Sequence, residues 1–145
     1  MKKRVKTSIG WREWVALPDL GIKRLKAKID TGAASSSLHA WNIEEFVKKG
    51  ETWIRFDIHP LQKDNKTSVT CKARVVDMRR IKSSNGQSST RYVIETTLKL
   101  GEVEKTIELN LARRDQMGFR MLLGRQGLRP DFIVDPAKSF LTGKL

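Results

Sequence analysis

The chain reads Lys28-Ile29-Asp30-Thr31-Gly32-Ala33-Ala34-Ser35-Ser36-Ser37-Leu38 where an alternating apolar run gives way to a small polar turn. The run ends at Asp30 and apolar residues return at Leu38, so the pattern predicts a strand, a loop and a second strand. Gly32 allows a tight turn, and the small residues after it leave room around the Asp30 carboxylate. A carboxylate in such a loop is a candidate for general acid and base chemistry. The alternative is an aspartate that only caps its own turn.

Two motifs resemble those of retropepsin-like aspartic peptidases, the fold of retroviral proteases. Asp30-Thr31-Gly32-Ala33 is similar to the catalytic loop of that fold. Met121-Leu122-Leu123-Gly124-Arg125 is similar to the segment that threads beside this loop before a short helix. Over nearly its whole length the chain also resembles a bacterial family labelled ATP-dependent zinc proteases, which includes RimB-type ribosomal modification proteases. Further matching residues are 26–33, 38–40, Arg113-Arg114 before Met117, and Phe132-Ile133-Val134-Asp135-Pro136.

The resemblance implies roles for the residues of both motifs. Asp30, Thr31 and Gly32 would form the catalytic loop, and Leu123, Gly124 and Arg125 would be structural residues beside it. Retropepsin-like peptidases use two carboxylates that share one proton. This chain has one Asp-Thr-Gly, so a homodimer is expected to bring together two copies of Asp30.

A hairpin with its tip at Asn85-Gly86 is the candidate flap, the mobile hairpin that closes over substrate in this fold. Its stems carry Arg79, Arg80 and Arg91. The predicted substrate-binding residues are Ala33, Arg79, Arg80, Asn85, Gly86 and Arg91. Guanidinium groups suit carboxylates, so the hairpin cations are suited to an acidic peptide. The alternative is a charged sheet edge that only discourages strand pairing.

Short alternating runs separated by turn residues predict an all-β chain. Strands are expected at residues 10–17, 22–29, 51–58, 69–81, 90–100, 103–111, 121–123 and 132–134, and the last of these is expected to close the sheet. Residues 44–49 are expected to form a helical turn, and residues 124–128 a second one. Together with the resemblance, this gives a retropepsin-like closed β-barrel with one or two short helices. Residues 1–8 are expected to form a basic arm, and residues 9–145 a single peptidase domain.

The charge balance points to acidic partners. Lys and Arg number 29 against 16 Asp and Glu, which gives a net charge of +13. RimB-type relatives are associated with trimming glutamates added to a ribosomal protein, so a polyglutamylated tail is a candidate substrate and the ribosome a candidate partner. The alternative function is a non-catalytic basic β-barrel that binds RNA or the ribosome. A peptidase fold that has lost its dimer is a third possibility.

The remaining composition gives expectations about location and cofactors. Cys71 is the single cysteine, so no internal disulfide can form, which agrees with a cytoplasmic location. The sequence predicts no signal peptide and no membrane span, because no long apolar stretch is present. His39, His59 and Cys71 match no familiar zinc spacing, and there is no phosphate-binding glycine loop. No metal and no cofactor are therefore expected.

Overall fold

The computed structural model describes residues 5–59, 68–82, 86–112 and 119–143. The strands are β1 Thr7–Ile9, β2 Arg12–Leu17, β3 Ile22–Ile29, β4 Ser36–His39, β5 Trp41–Lys48, β6 Glu51–Ile58, β7 Val69–Lys82, β8 Ser88–Leu100, β9 Val103–Ala112, β10 Met121–Leu123 and β11 Phe132–Val134. A 3-10 turn, Pro18–Leu20, follows β2, and the α-helix α1 is Arg125–Leu128, as the sequence predicts for that segment. Within the described ranges, no helix is long and apolar enough to cross a membrane.

Nine strands form one sheet in the order β2-β3-β10-β4-β9-β8-β7-β6-β5. Strand β2 also pairs with β8, through Ala16 and Lys99. The strands β2, β3, β10, β4, β9 and β8 therefore close into a ring, and β7, β6 and β5 continue the sheet beyond it. This arrangement confirms the predicted all-β, retropepsin-like fold.

The core fills the inside of the ring. Alternation along β3 buries Leu25 and Ala27, while Leu38, Leu98 and Leu109 enter the same cluster from β4, β8 and β9. All five side chains are fully buried. Each buried leucine contributes about 1.5–3 kcal/mol to folding stability relative to an exposed one. The strands that carry the polar loops are therefore anchored in a well-packed core.

A buried carboxylate ties the C-terminal segment to β2. Glu13 is fully buried, and its oxygens accept hydrogen bonds from the main-chain N–H groups of Gly10, Leu141 and Thr142 and from the Thr142 hydroxyl. A buried charge is costly unless it is hydrogen-bonded, and these donors offset that cost. Leu141 and Thr142 are thereby held against β2.

Three elements differ from the sequence-based prediction. Residues 44–49 do not form a helical turn, because residues up to Lys48 belong to strand β5. The pairing of β5 with β6 shifts register between Trp41 and Glu44, which hides the alternation expected of a strand. Strand β11 does not close the main sheet but pairs in parallel with β1. Thr7 and Ser8, which the sequence places in the basic arm, lie in that paired strand.

Candidate active site

The Asp30 loop begins where β3 ends. The Asp30 N–H donates to the carbonyl of Leu123 at 2.9 Å, and the Asp30 carbonyl accepts from the N–H of Ala33 at 3.2 Å. The half-buried Asp30 side chain accepts a hydrogen bond at Oδ1 from the N–H of Gly32, at 3.0 Å. In the part of the chain that the structure describes, this is the one protein donor to the carboxylate. The other oxygen, Oδ2, therefore remains available to water or to a partner group.

Strand β10 threads directly beside the loop. It pairs in parallel with β3 on one side, Leu123 opposite Ile29, and antiparallel with β4 on the other. At the next residue the Gly124 N–H donates to Ser36 Oγ at 2.9 Å. A β-carbon on Gly124 would lie 2.3 Å from the Ser35 carbonyl oxygen and 2.8 Å from that of Ala33. Only glycine fits this approach, so the threaded segment and the loop are packed main chain against main chain.

The first turn of α1 holds the far side of the loop. The N–H of Arg125 donates to the Ala33 carbonyl at 2.8 Å, and the N–H of Gln126 to the Ala34 carbonyl at 3.0 Å. These are N–H groups that a helix start leaves without a partner inside the helix. The Arg125 side chain adds a hydrogen bond from Nη1 to the Thr31 carbonyl at 2.9 Å. Leu123, Gly124 and Arg125 thus all contact the Asp30 loop within one chain.

Sequence reasoning missed Asn110, which supports the loop from β9. Its Nδ2 donates to the Ser36 carbonyl at 2.9 Å and to Ser35 Oγ at 3.4 Å. Its Oδ1 accepts from Ser37 Oγ and from Arg91 Nη1, both at 2.9 Å. The side chain is almost fully buried, at 2% exposure. In the sequence, Asn110 stands among apolar residues at the end of a strand. Asparagine is unfavourable at such a position unless a specific partner satisfies it, and this could have indicated its role.

The predicted hairpin is formed by β7 and β8, which pair antiparallel as far as Lys82 opposite Ser88. Gly86 has a φ of 85°, a conformation that favours glycine. Asn85, at the expected tip, lies outside the described residues, as do Arg113, Arg114 and Met117 of the family resemblance.

The hairpin cations do not share one face. Arg79 lies directly opposite Arg91, and two like charges in that position repel each other. Carboxylates compensate, since Arg79 binds Glu108 through Nη1 and Asp77 through Nε, each at 2.7 Å. These hydrogen bonds, with that to Glu108 the largest cause, raise the pKa of Arg79, and the bond from Arg79 lowers the pKa of Asp77. Arg80 points to the opposite face, because side chains alternate along a strand.

The candidate ligands for a soft metal ion are Cys71 and two histidines, His39 and His59, which both pack against Trp41. Cys71 is buried, its thiol contacts the Leu20 carbonyl at 3.3 Å, and burial raises its pKa to about 12. A thiol held neutral in this way is a poor nucleophile. His39 is also buried and packs edge-on against Trp41, with ring centroids 4.6 Å apart. Across the described ranges, no three His, Cys, Asp or Glu side chains come together as a metal-binding group.

The closed all-β ring, the Asp-Thr-Gly loop and the threaded Leu-Leu-Gly segment define the retropepsin-like class. A sequence profile described as RimB-like, retropepsin-like aspartic endopeptidase RimB, matches residues 8–144. The chain therefore belongs to the RimB-like family of retropepsin-like aspartic endopeptidases. This confirms the resemblance found in the sequence.

Similar proteins extend the comparison. A Shewanella pealeana protein named probable alpha-L-glutamate ligase is 48% identical over 136 residues, which cover 94% of this chain and 30% of that protein. A Desulfotalea psychrophila protein of the same name is 49% identical over 140 residues, or 97% of this chain and 30% of that protein. The chain thus spans 30% of the length of these curated relatives. The crystal structure of a Legionella pneumophila protein of unknown function has a TM-score of 0.80 and 33% identity, covering 95% of this chain and 99% of that one.

Proposed function

We propose that this chain is an aspartic-type peptidase that hydrolyses peptide bonds in an acidic protein, using Asp30 from each subunit of a homodimer. The observation that carries this proposal is the fixed position of the Asp30 loop beside the threaded segment. The Asp30 N–H donates a hydrogen bond to the Leu123 carbonyl, and Gly124 packs against the main chain of the loop. An aspartate that only caps a turn needs no second segment beneath it, whereas a catalytic carboxylate must be held in a fixed position.

The chemistry needs two carboxylates that share one proton. The ionised carboxylate takes a proton from water, whose oxygen attacks the peptide carbonyl carbon, while the protonated carboxylate donates a hydrogen bond to the carbonyl oxygen. The carbon–nitrogen bond breaks when the leaving nitrogen receives a proton, which yields an acid and an amine. Two carboxyl groups that are close enough to share one proton cannot both ionise cheaply, so the pair titrates as one unit. The Gly32 N–H donates only to Oδ1 of Asp30, so Oδ2 is available to share a proton with the second carboxylate.

The pH range of the proposed activity depends on the residue after the Asp-Thr-Gly. Ala33 supplies a main-chain N–H to the Asp30 carbonyl but has no side-chain hydroxyl. A hydroxyl there would donate to the catalytic carboxylate and favour its ionised form. We therefore expect activity nearer neutral pH than in aspartic peptidases with Ser or Thr at this position, and an optimum as acidic as that of gastric enzymes would contradict this.

The proposed substrate is an acidic, polyglutamylated protein tail. Relatives of which this chain covers 30% carry the name of a probable glutamate ligase, and a peptidase related to them is suited to remove the glutamates that a ligase adds. The net charge of +13 favours a polyanionic substrate. The resemblance to RimB-type ribosomal modification proteases favours a ribosomal protein in the cytoplasm as the substrate.

Release of glutamate from a polyglutamylated peptide tests the proposal. We expect turnover by the wild-type protein, none by Asp30→Asn, and wild-type turnover by Asp57→Asn, which makes the same chemical change on β6. Sedimentation of the same samples should show a dimer, and Asp30→Asn should still dimerise because its fold is intact. Turnover that survives in Asp30→Asn would exclude the aspartic mechanism.

A further inference from the structure

The outer face of β2 and β3 carries cations and aromatic rings together. Arg12 and Trp14 point outward because Glu13, between them, is buried inside. The register places Arg12 opposite Lys28 and Trp14 opposite Lys26. We propose that this surface binds single-stranded nucleic acid. This basic aromatic face consists of Arg12, Trp14, Arg24, Lys26, Lys28 and Phe140.

The cations of this face lie over its rings. Trp14 stacks on Phe140 with centroids 5.8 Å apart and an interplanar angle of 22°. The guanidinium carbon of Arg24 is 4.1 Å from the Trp14 centroid, and Lys26 Nζ is 5.3 Å from it. Arg12 covers the Phe140 ring at 4.9 Å. Phe140 is fixed in place by the hydrogen bond from its N–H to the Arg12 carbonyl, at 3.0 Å.

These cations are not neutralised within the part of the chain that the structure describes. Arg24, Lys26 and Lys28 form no ion pair with any carboxylate there, and Arg12 donates to Ser139 Oγ. Four cations elsewhere in the described part of the chain do form ion pairs. The paired ones are Arg55 with Glu44, Arg74 with Glu51, Arg79 with Asp77 and Glu108, and Lys105 with Asp131. The positive charge of the basic aromatic face therefore remains available to an anionic partner.

The rings favour nucleic acid over an acidic peptide. Phosphates need only cations, but unpaired bases also stack on aromatic rings and on guanidinium planes. Phe140 stacks on Trp14 and the guanidinium of Arg24 lies over Trp14, so aromatic rings and a guanidinium plane form one surface. A glutamate-rich peptide would use the cations and leave the rings without a role. A duplex keeps its bases within its own stack, so the ring surface fits a single strand.

The test measures fluorescence anisotropy with labelled oligouridylate, oligothymidylate and oligoglutamate. The variant Arg24→Gln with Lys26→Gln removes two cations from the basic aromatic face. The matched control, Lys72→Gln with Arg74→Gln, removes the same charge from exposed positions of β7. We expect the first pair to weaken oligonucleotide binding about tenfold more than the control and to reduce the salt slope by about 1.4, since each phosphate contact to a single strand contributes about 0.7.

A ring variant separates stacking from charge. Trp14→Leu should weaken oligonucleotide binding about tenfold and leave the salt slope unchanged, because it removes a stacking platform and no cation. If Trp14→Leu does not fold, the two charge variants still test the proposal, because Arg24 is exposed and Lys26 is only half-buried. Equal binding of both oligonucleotides or a preference for oligouridylate would each support the proposal.

Two results would overturn the proposal. One is an equal loss of oligonucleotide binding in both charge variants, which would reflect the net charge of the protein rather than this face. The other is tighter binding of oligoglutamate than of either oligonucleotide, lost with Arg24→Gln and Lys26→Gln, which would make the face a site for acidic peptide. Asp30→Asn should bind oligonucleotides like the wild type, so a failure of the peptidase proposal leaves this test unaffected.

Discussion

Gly124 and Ser35 approach each other so closely that a β-carbon on Gly124 would lie 2.3 Å from the Ser35 carbonyl oxygen. This contact joins two segments that are far apart in the sequence, the loop after β3 and the end of β10. Real β-carbons do not approach main-chain oxygens at such a distance, so the loop would have to move to admit any side chain. The position of Asp30 therefore depends on the size of the residue at 124.

Gly124→Ala should destabilise the protein by about 3 kcal/mol and abolish the proposed peptidase activity, because the new methyl group displaces the loop main chain. Urea unfolding gives the stability. Gly50→Ala is the control: its β-carbon would meet nothing within 4 Å, although its φ is 75°. That conformation alone costs about 1–2 kcal/mol for alanine. A loss in Gly124→Ala no larger than in the control would contradict the close approach.

Asn110→Ala should reduce stability by about 2 kcal/mol, because it leaves the buried Ser36 carbonyl and its neighbours without a partner. Asn110 positions the Asp30 loop and does not itself contact the substrate. We therefore expect kcat for peptide hydrolysis to fall more than KM rises. Thr106→Ala, at an exposed position of the same strand, should change neither quantity. An unchanged kcat together with lower stability would limit Asn110 to a structural role.

The sequence predicted the parts of this fold that rest on local patterns. Strands β3 and β6 follow from alternation, and the loop and threaded segment follow from their motifs. It failed at β5, where the shift after Trp41 and the positive φ of Asn42 break the two-residue period. Asn110 could not be assigned to the site, because its role depends on the parallel pairing of β4 with β9. Such contacts join residues distant in sequence, and no local pattern encodes them.

Cys71 should react very slowly with disulfide reagents at neutral pH in the folded protein and completely in guanidinium. Burial raises the pKa of its thiol to about 12, so almost no thiolate is present and access is blocked. The control is Lys72→Cys in a Cys71→Ala background, which places a thiol at the neighbouring exposed position and should react quickly. Rapid labelling of native Cys71 would show that this part of the core opens readily.

An acidic substrate should meet the face of the β7–β8 hairpin that carries Arg79. Arg79 lies opposite Arg91, and Arg91 contacts Asn110, so Arg79 is on the face that supports the Asp30 loop. Arg79→Ala should therefore raise KM for glutamate-rich peptides and spare neutral ones. The effect should be only about threefold, because Glu108 and Asp77 already share its charge at a solvent-exposed site.

Arg80→Ala is the matched control, since it removes the same charge from the opposite face and should leave KM unchanged. Glu108→Gln should act in the other direction and lower KM, because it releases one of the two carboxylates that now hold Arg79. Steady-state kinetics with glutamate-rich and neutral peptides measure all three variants. Equal effects of Arg79→Ala and Arg80→Ala would mean that the overall positive field attracts the substrate, and a larger effect of Arg80→Ala would place the substrate on the other face of the hairpin.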